Sequence, residues 1–169
     1  MKRFVLLFLA PALLFSSCGV FVDSKAFNNE LSQINQAVNQ AYNDYKDQAE
    51  STGLVEEQIM ALETARVELL EILRAHEAEI KAVKAASGGK DLKNTFLSDV
   101  AMLIEMTRNE EKELAEVWLN MANGIGDPAE NSSEESKLME TIEAKNSRSF
   151  EKITAAQEAF AEANDYILE

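Results

Sequence analysis

The chain contains one cysteine, one histidine and two prolines in 169 residues. A single cysteine cannot form a disulfide within the chain, so the fold must depend on packing. A single histidine excludes the di-iron centre of ferritin-like bundles, which needs Glu-x-x-His on two helices. The residue three before His76 is Leu73, so even one copy of that motif is missing. We therefore expect no metal and no other cofactor, and no enzyme activity.

Basic side chains are also scarce. Sixteen Lys and Arg against 30 Asp and Glu give a formal net charge of −14 at pH 7. A surface this acidic repels the phosphates of nucleic acids and anionic lipid head groups. We expect no nucleic-acid partner and no flat adsorption on a bilayer. Solubility is the simple explanation of the acidity, and a basic protein partner is the alternative.

Charged side chains are absent from residues 4–15, which follow the basic pair Lys2 and Arg3. A basic start followed by a short apolar run is typical of a secretory signal, whereas a transmembrane helix needs about 20 apolar residues. The run leads directly into the sequence Ser-Ser-Cys-Gly at 16–19. The only cysteine of the chain, Cys18, therefore stands where a signal peptide would be cleaved.

This stretch resembles the lipobox of bacterial lipoproteins, in which small residues precede an invariant cysteine, although Phe15 stands where Leu is commonest. The resemblance implies a diacylglycerol thioether on Cys18, removal of residues 1–17 and further acylation, typically by palmitate, of the new amino group. It implies an envelope location, and Gly19 in place of Asp favours the outer over the inner membrane. A plain secretory signal, with Cys18 a bystander, is the alternative.

The resemblance divides the mature chain into a tether, 18–23, and one domain, 24–169. Loss of Lys2 and Arg3 lowers the basic count from 16 to 14 against 30 acidic side chains, a net charge of −16. Two or three acyl chains hold a protein on a membrane far more firmly than one, at about 0.8 kcal/mol per buried CH₂.

Glycine and proline are nearly absent from the domain, and their few positions mark its turns. These positions are Gly53, Gly88, Gly89, Gly124, Gly126 and Pro128. The breaks predict four helices, at 24–50, 54–86, 91–122 and 132–167. Ser132 and Glu135 form a potential capping box for the last helix, and Asp91 is a candidate N-cap for the third.

Apolar residues recur in each predicted helix at steps of three and four, which gives one apolar stripe per helix. No stretch shows the alternation of a strand. With short loops, these stripes predict an all-α, antiparallel up-down-up-down four-helix bundle with coiled-coil-like packing. Helix 1 also carries many amides between residues 28 and 43. They indicate either a solvated face or a polar docking surface.

Short loops also predict which residues of different helices lie at the same height. Three phenylalanines, Phe27, Phe96 and Phe160, are expected in one layer near the membrane with His76. That histidine is expected to bond to a neighbour rather than to a metal. A second cluster is expected at the distal end: Tyr42, Tyr45, Met60, Trp118, Met121 and Met139.

Between these layers the apolar stripes are interrupted by polar residues, namely Arg66, Glu110, Asn146 and Ser149. We expect Arg66 and Glu110 to lie side by side, because an unpaired buried charge is very costly. Our interpretation of this layer is a structural one, in which it rejects slipped helix pairings. A polar binding site inside the bundle, or a partly exposed pair, are the alternatives.

The tether would keep the start of helix 1 near the bilayer, so the loop 123–131 would face outward. Long loops on rigid scaffolds commonly carry function. The candidate partner-binding residues at this tip are Trp118, Asn123, Ile125, Asp127 and Glu130.

The functional hypothesis from the sequence is a membrane-anchored envelope lipoprotein that is not an enzyme and binds an unidentified protein partner. One alternative is a carrier or enzyme with an internal ligand or metal site near His76. Another is a periplasmic chaperone or stress sensor with exposed grooves.

Overall fold

The structure is a computed structural model that describes residues 22–168, and these residues form five α-helices. The helices are α1 (Ser24–Ser51), α2 (Glu56–Ala82), α3 (Lys90–Arg108), α4 (Glu110–Ala122) and α5 (Pro128–Ala163). The lipid-attachment prediction at Cys18 and the signal at 1–17 lie outside the described residues. No helix between residues 22 and 168 is long and apolar enough to cross a membrane.

Helices α3 and α4 are two parts of one rod, separated by the single residue Asn109. The backbone there is distorted, with φ −105° and ψ −75°. The N–H of Asn109 still donates to Glu105 O at 3.0 Å, and the N–H of Glu113 donates to Asn109 O at 2.9 Å. Because helical hydrogen bonds continue across the break, the five helices make four rods. The predicted all-α bundle is confirmed.

Hydrogen bonds and ion pairs between rods show their antiparallel arrangement. Side chains of α3 and α4 meet those of α5 in reverse order along the chain, in the pairs Asp99–Ser149, Glu110–Lys145 and Trp118–Glu135. Side chains of α1 meet α5 in the same reversed sense, in the pairs Ser24–Asn164, Ser32–Gln157 and Tyr42–Asn146.

The core follows the apolar stripes of the sequence. Phe27, Phe96 and Phe160 are all buried, and the rings of Phe27 and Phe160 pack edge to face with centroids 5.6 Å apart. At the turn between α2 and α3, a Cβ on Gly89 would lie 2.5 Å from the Phe27 ring. Glycine at this position therefore lets the turn close over the aromatic layer.

The α2–α3 turn is also held by a lysine. Lys93 Nζ donates to the carbonyl oxygens of Lys81 at 2.7 Å and Val83 at 2.6 Å. These carbonyls belong to the end of α2, where the helix itself supplies no donor and a cation is favourable. Helix α2 ends at Ala82, before the predicted end at 86.

Both predicted caps are wrong. Helix α5 begins at Pro128, and the Asp127 side chain accepts from the N–H groups of Ala129 and Glu130 at 2.7 and 3.3 Å. Proline suits the first helical position because its missing N–H would have no partner there. Ser132 therefore lies inside the helix. Asp91 lies in the first turn of α3, whose N-cap is Gly89.

The expected distal cluster forms only in part. Tyr42 and Tyr45 are buried at 5% exposure each, but Met60 and Met139 are 54% and 51% exposed. Trp118 is half-buried and donates from Nε1 to Glu135 Oε1 at 2.7 Å. The aromatic residues of the cluster thus face inward, while these two methionines face solvent.

Candidate functional sites

The polar layer inside the bundle centres on Glu111, which the sequence analysis did not identify. This carboxylate is 5% exposed. Tyr42 OH donates to its Oε1 at 2.7 Å, and Tyr45 OH donates to its Oε2 at 3.4 Å. Asn146 Nδ2 in turn donates to Tyr42 OH at 3.3 Å. Asn146 is therefore part of the layer, as expected.

The expected pair of Arg66 with Glu110 is not formed. Arg66 is 5% exposed and binds Glu63, one turn away on its own helix, with Nε to Oε2 at 2.7 Å. Its Nη1 donates to the carbonyl oxygen of Thr107 at 3.0 Å. Glu110 instead pairs with Lys145 on α5. Arg66 does reach the α3–α4 rod at the expected height, but it meets backbone rather than carboxylate.

The error lies in the direction that each glutamate faces. Consecutive residues on a helix point about 100° apart, so Glu110 and Glu111 face different neighbours. Among the buried residues around the break, Thr107, Glu111 and Leu114 follow one another at steps of four and three. These steps continue across the distortion at Asn109. Glu111 therefore faces the core, while Glu110 faces Lys145 of α5.

Burial governs the electrostatics of the layer. It raises the pKa of Glu111, and the hydrogen bonds from Tyr42 and Tyr45 act in the opposite direction. Burial, and then the nearby Glu111 charge, raise the pKa of both phenols. The phenols therefore stay neutral donors. Both carboxylate oxygens of Glu111 are used within the protein, which is the geometry of a structural network rather than of a site open to substrate.

The histidine is bonded within its own helix. His76 Nδ1 lies 2.8 Å from Glu79 Oε2, and the His76 side chain is 19% exposed. Between residues 22 and 168, no three His, Cys, Asp or Glu side chains are grouped so that they could hold a metal ion.

A polar seam joins α1 to α5, where we expected a solvated face or a docking surface. Gln157 Nε2 donates to Ser32 Oγ at 2.7 Å and to Asn28 Oδ1 at 3.3 Å. Asn28 is only 3% exposed. The signal for this seam is the seven-residue spacing of Asn28, Asn35 and Tyr42, which puts all three on one face of α1. Part of the amide cluster therefore faces another helix.

Two open grooves flank α5 at different heights. One lies between α4 and α5, has a volume of about 590 Å³, and is lined by Glu113, Glu130 and Lys137 among others. The other lies between α3 and α5, has a volume of about 620 Å³, and contains Arg148 and Lys152. The sequence analysis identified neither groove, because each depends on the helix faces that flank the contact.

The candidate tip residues have different roles. Ile125 is 57% exposed, whereas Asp127 caps α5. Asn123 Nδ2 donates to Leu119 O at 3.0 Å, which ties it to the end of α4. Glu130 lies in the first turn of α5 and lines the α4–α5 groove, and Trp118 is half-buried in α4. Only Ile125 presents a large apolar side chain.

The turn between α1 and α2 lies at the same end of the bundle as the α4–α5 loop. Each of them connects a rod that leads away from residue 22 to a rod that runs back towards it. This turn exposes Leu54 and Val55, at 50% and 52%. We call Leu54, Val55 and Ile125 the distal tip.

Comparison of the chain with protein families, with curated proteins and with solved structures finds no match.

Proposed function

We propose that the protein is a bacterial envelope lipoprotein, anchored by lipid on Cys18, that binds a protein partner through the distal tip. It acts without catalysis. The bundle is a rigid spacer that carries the binding surface away from the membrane. The lipobox-like sequence at 16–19 supports the anchor, and the exposed side chains of the tip support the binding surface.

The observation that carries the proposal is the exposure of three large aliphatic side chains at one end of an acidic bundle. Leu54, Val55 and Ile125 are each at least half exposed. Single exposed aliphatic residues are normal on a protein surface, but exposed apolar groups concentrated in one region, with a polar surround, are typical of protein-binding sites. The two turns at this end of the bundle supply all three.

Anchoring would set the orientation of the tip. The tether of residues 18–23 spans at most about 20 Å when extended. The start of α1 at Ser24 would therefore stay close to the bilayer. A rod the length of α1, with 28 residues, extends about 42 Å at 1.5 Å per residue. The distal tip would thus face away from the membrane that holds the anchor.

The test is chemical cross-linking in native cells, with a tip variant and a matched control. The variant carries Leu54→Asp and Ile125→Asp, which place charges on the proposed contact surface. The control carries Ile167→Asp, at a residue that is 84% exposed at the opposite end. We expect the tip variant to lose its cross-linked partner by about tenfold or more, as for the loss of an apolar anchor at an interface.

The control should retain the partner at the wild-type level, since the charge lies far from the tip. Equal recovery of the same cross-linked protein by wild type and both variants would contradict binding through the distal tip. Circular dichroism melts of the purified variants establish that each one still folds.

A further inference from the structure

The groove between α3 and α5 concentrates positive charge on a strongly acidic protein. Three cations of α5, at steps of three and four residues, line it: Lys145, Arg148 and Lys152. One carboxylate, Asp99, also lines the groove. The lining thus carries three positive charges against one negative, on a chain whose net charge is −14.

Two of these cations have no partner among residues 22–168. Lys145 pairs with Glu110, and the Asp99 carboxylate accepts a hydrogen bond from Ser149. Arg148 and Lys152 make no hydrogen bond or ion pair with any residue between 22 and 168. They lie one helical turn apart, about 6 Å along the axis. Both therefore keep their donors free for a ligand in the groove.

The opposite wall supplies neutral polar groups. Asn94 and Ser98 of α3 also lie one turn apart, line the groove, and make no side-chain hydrogen bond with the described part of the chain. Apolar lining is limited to Met102 and Ala155. An amphipathic helix needs a row of apolar pockets to dock, so this groove is poorly suited to a helical partner.

We propose that the groove between α3 and α5 binds the phosphate group of a small phosphoester, held by Arg148 and Lys152 with Asn94 and Ser98 as further hydrogen-bond donors. The guanidinium group matches the oxygens of a phosphate as a two-point donor, and the ammonium group adds a compact charge. A free phosphoester and a phospholipid head group share this chemistry. The site does not depend on the proposed tip or on the lipid anchor.

The test is lysine acetylation of the full-length protein in neutral detergent, with peptide mass spectrometry as the readout. Inorganic phosphate or glycerol 3-phosphate is added at constant ionic strength, with chloride as the balancing anion. We expect saturable protection of Lys152. Lys137, on the same helix but in the α4–α5 groove, is the internal control and should be acetylated at an unchanged rate.

A variant links the protection to the second cation. In Arg148→Gln, half-protection of Lys152 should need about tenfold more phosphate, the effect of losing one charge-assisted contact. The matched variant Lys137→Gln removes the same charge elsewhere and should leave that concentration unchanged. Vesicles distinguish the two sources: protection by phosphatidylglycerol but not by glycerol 3-phosphate identifies a lipid head group, and protection by glycerol 3-phosphate identifies a free phosphoester.

Three results would overturn the site. The first is the absence of saturable protection of Lys152 with phosphate and with both phosphoester sources. The second is equal protection of Lys137 and Lys152, which would indicate screening by salt rather than a site. The third is an equal change of the half-protection concentration in both variants, which would indicate a general charge effect.

Discussion

At the residue scale, the two phenols on Glu111 provide a direct comparison. Tyr42 OH donates to the carboxylate at 2.7 Å and Tyr45 OH at 3.4 Å. Tyr42→Phe removes the short bond and also the acceptor of Asn146, so it should lower the free energy of unfolding by about 1.5–3 kcal/mol. Tyr45→Phe removes only the long bond and should cost less than about 1 kcal/mol. Urea unfolding of both variants measures the two losses, and a larger loss for Tyr45→Phe would contradict the hydrogen-bond assignment.

The buried carboxyl group of Asp99 makes the free energy of unfolding depend on pH. It is 7% exposed, and burial raises its pKa to about 6 from the usual 3.8. A raised carboxyl pKa means that the folded state holds a proton that the unfolded state has released, so stability falls as pH rises from about 4 to 6. Asp99→Asn removes this fall. Its stability relative to wild type should increase across that window by at most about 3 kcal/mol, and then stay level.

Urea unfolding of wild type and Asp99→Asn between pH 3.5 and 7.5 measures the difference directly. Other titrating groups affect both proteins equally and cancel from the comparison. Ser149 can still donate to the amide oxygen of the new side chain. A difference that stays constant over the whole range would show that burial does not perturb the Asp99 carboxyl.

The sequence analysis identified one buried polar residue of the core, Arg66, but not its partners. The predicted height of Arg66 was correct to within one turn, since it bonds to Thr107 O. The predicted partner was wrong because adjacent glutamates at 110 and 111 fit the same height but point in different directions. Helical periodicity predicts the face on which a residue lies only where the helix is regular. The helix is distorted at Asn109, directly before this pair of glutamates, so the periodicity could not tell which of the two faces the core.

At the element scale, the start of α5 tests the corrected cap. Asp127 accepts from two N–H groups that would otherwise be unpaired. Asp127→Ala should lower the free energy of unfolding by about 1 kcal/mol, the usual cost of losing an N-cap. Ser132→Ala is the matched control, because Ser132 is exposed within the helix and should change stability by less than about 0.5 kcal/mol. Thermal melts showing the larger loss in Ser132→Ala would restore the capping-box assignment.

The rods themselves could be predicted because glycine and proline are so rare. Each turn in the structure falls at a break that the sequence marks, at Gly53, Gly88–Gly89 and 124–128. Asn109 was missed, since neither glycine nor proline marks it and helical hydrogen bonds continue across it. Helix ends were less accurate. Asp127 caps α5 five residues before the predicted cap Ser132, and a tertiary contact from Lys93 lies at the end of α2.

At the scale of the whole molecule, short loops and one apolar stripe per rod were enough to predict the bundle. They were not enough to predict its polar seam, because an amide at a core position has the same spacing as an apolar residue. The grooves beside α5 were equally hidden, since they depend on how far neighbouring rods separate. The stable core and the surface grooves therefore come from the same helices but from different faces.

Membrane attachment through Cys18 is the central claim, because it sets which end of the bundle faces outward. Mass spectrometry of the amino-terminal peptide, from protein extracted from membranes of its native cells, tests it most directly. We expect a mature chain that begins at Cys18, with diacylglycerol on the thiol and a Cys18→Ser variant that is neither lipidated nor retained in the membrane fraction. A mature terminus with an unmodified thiol, or a chain that still carries residues 1–17 without lipid, would contradict the anchor.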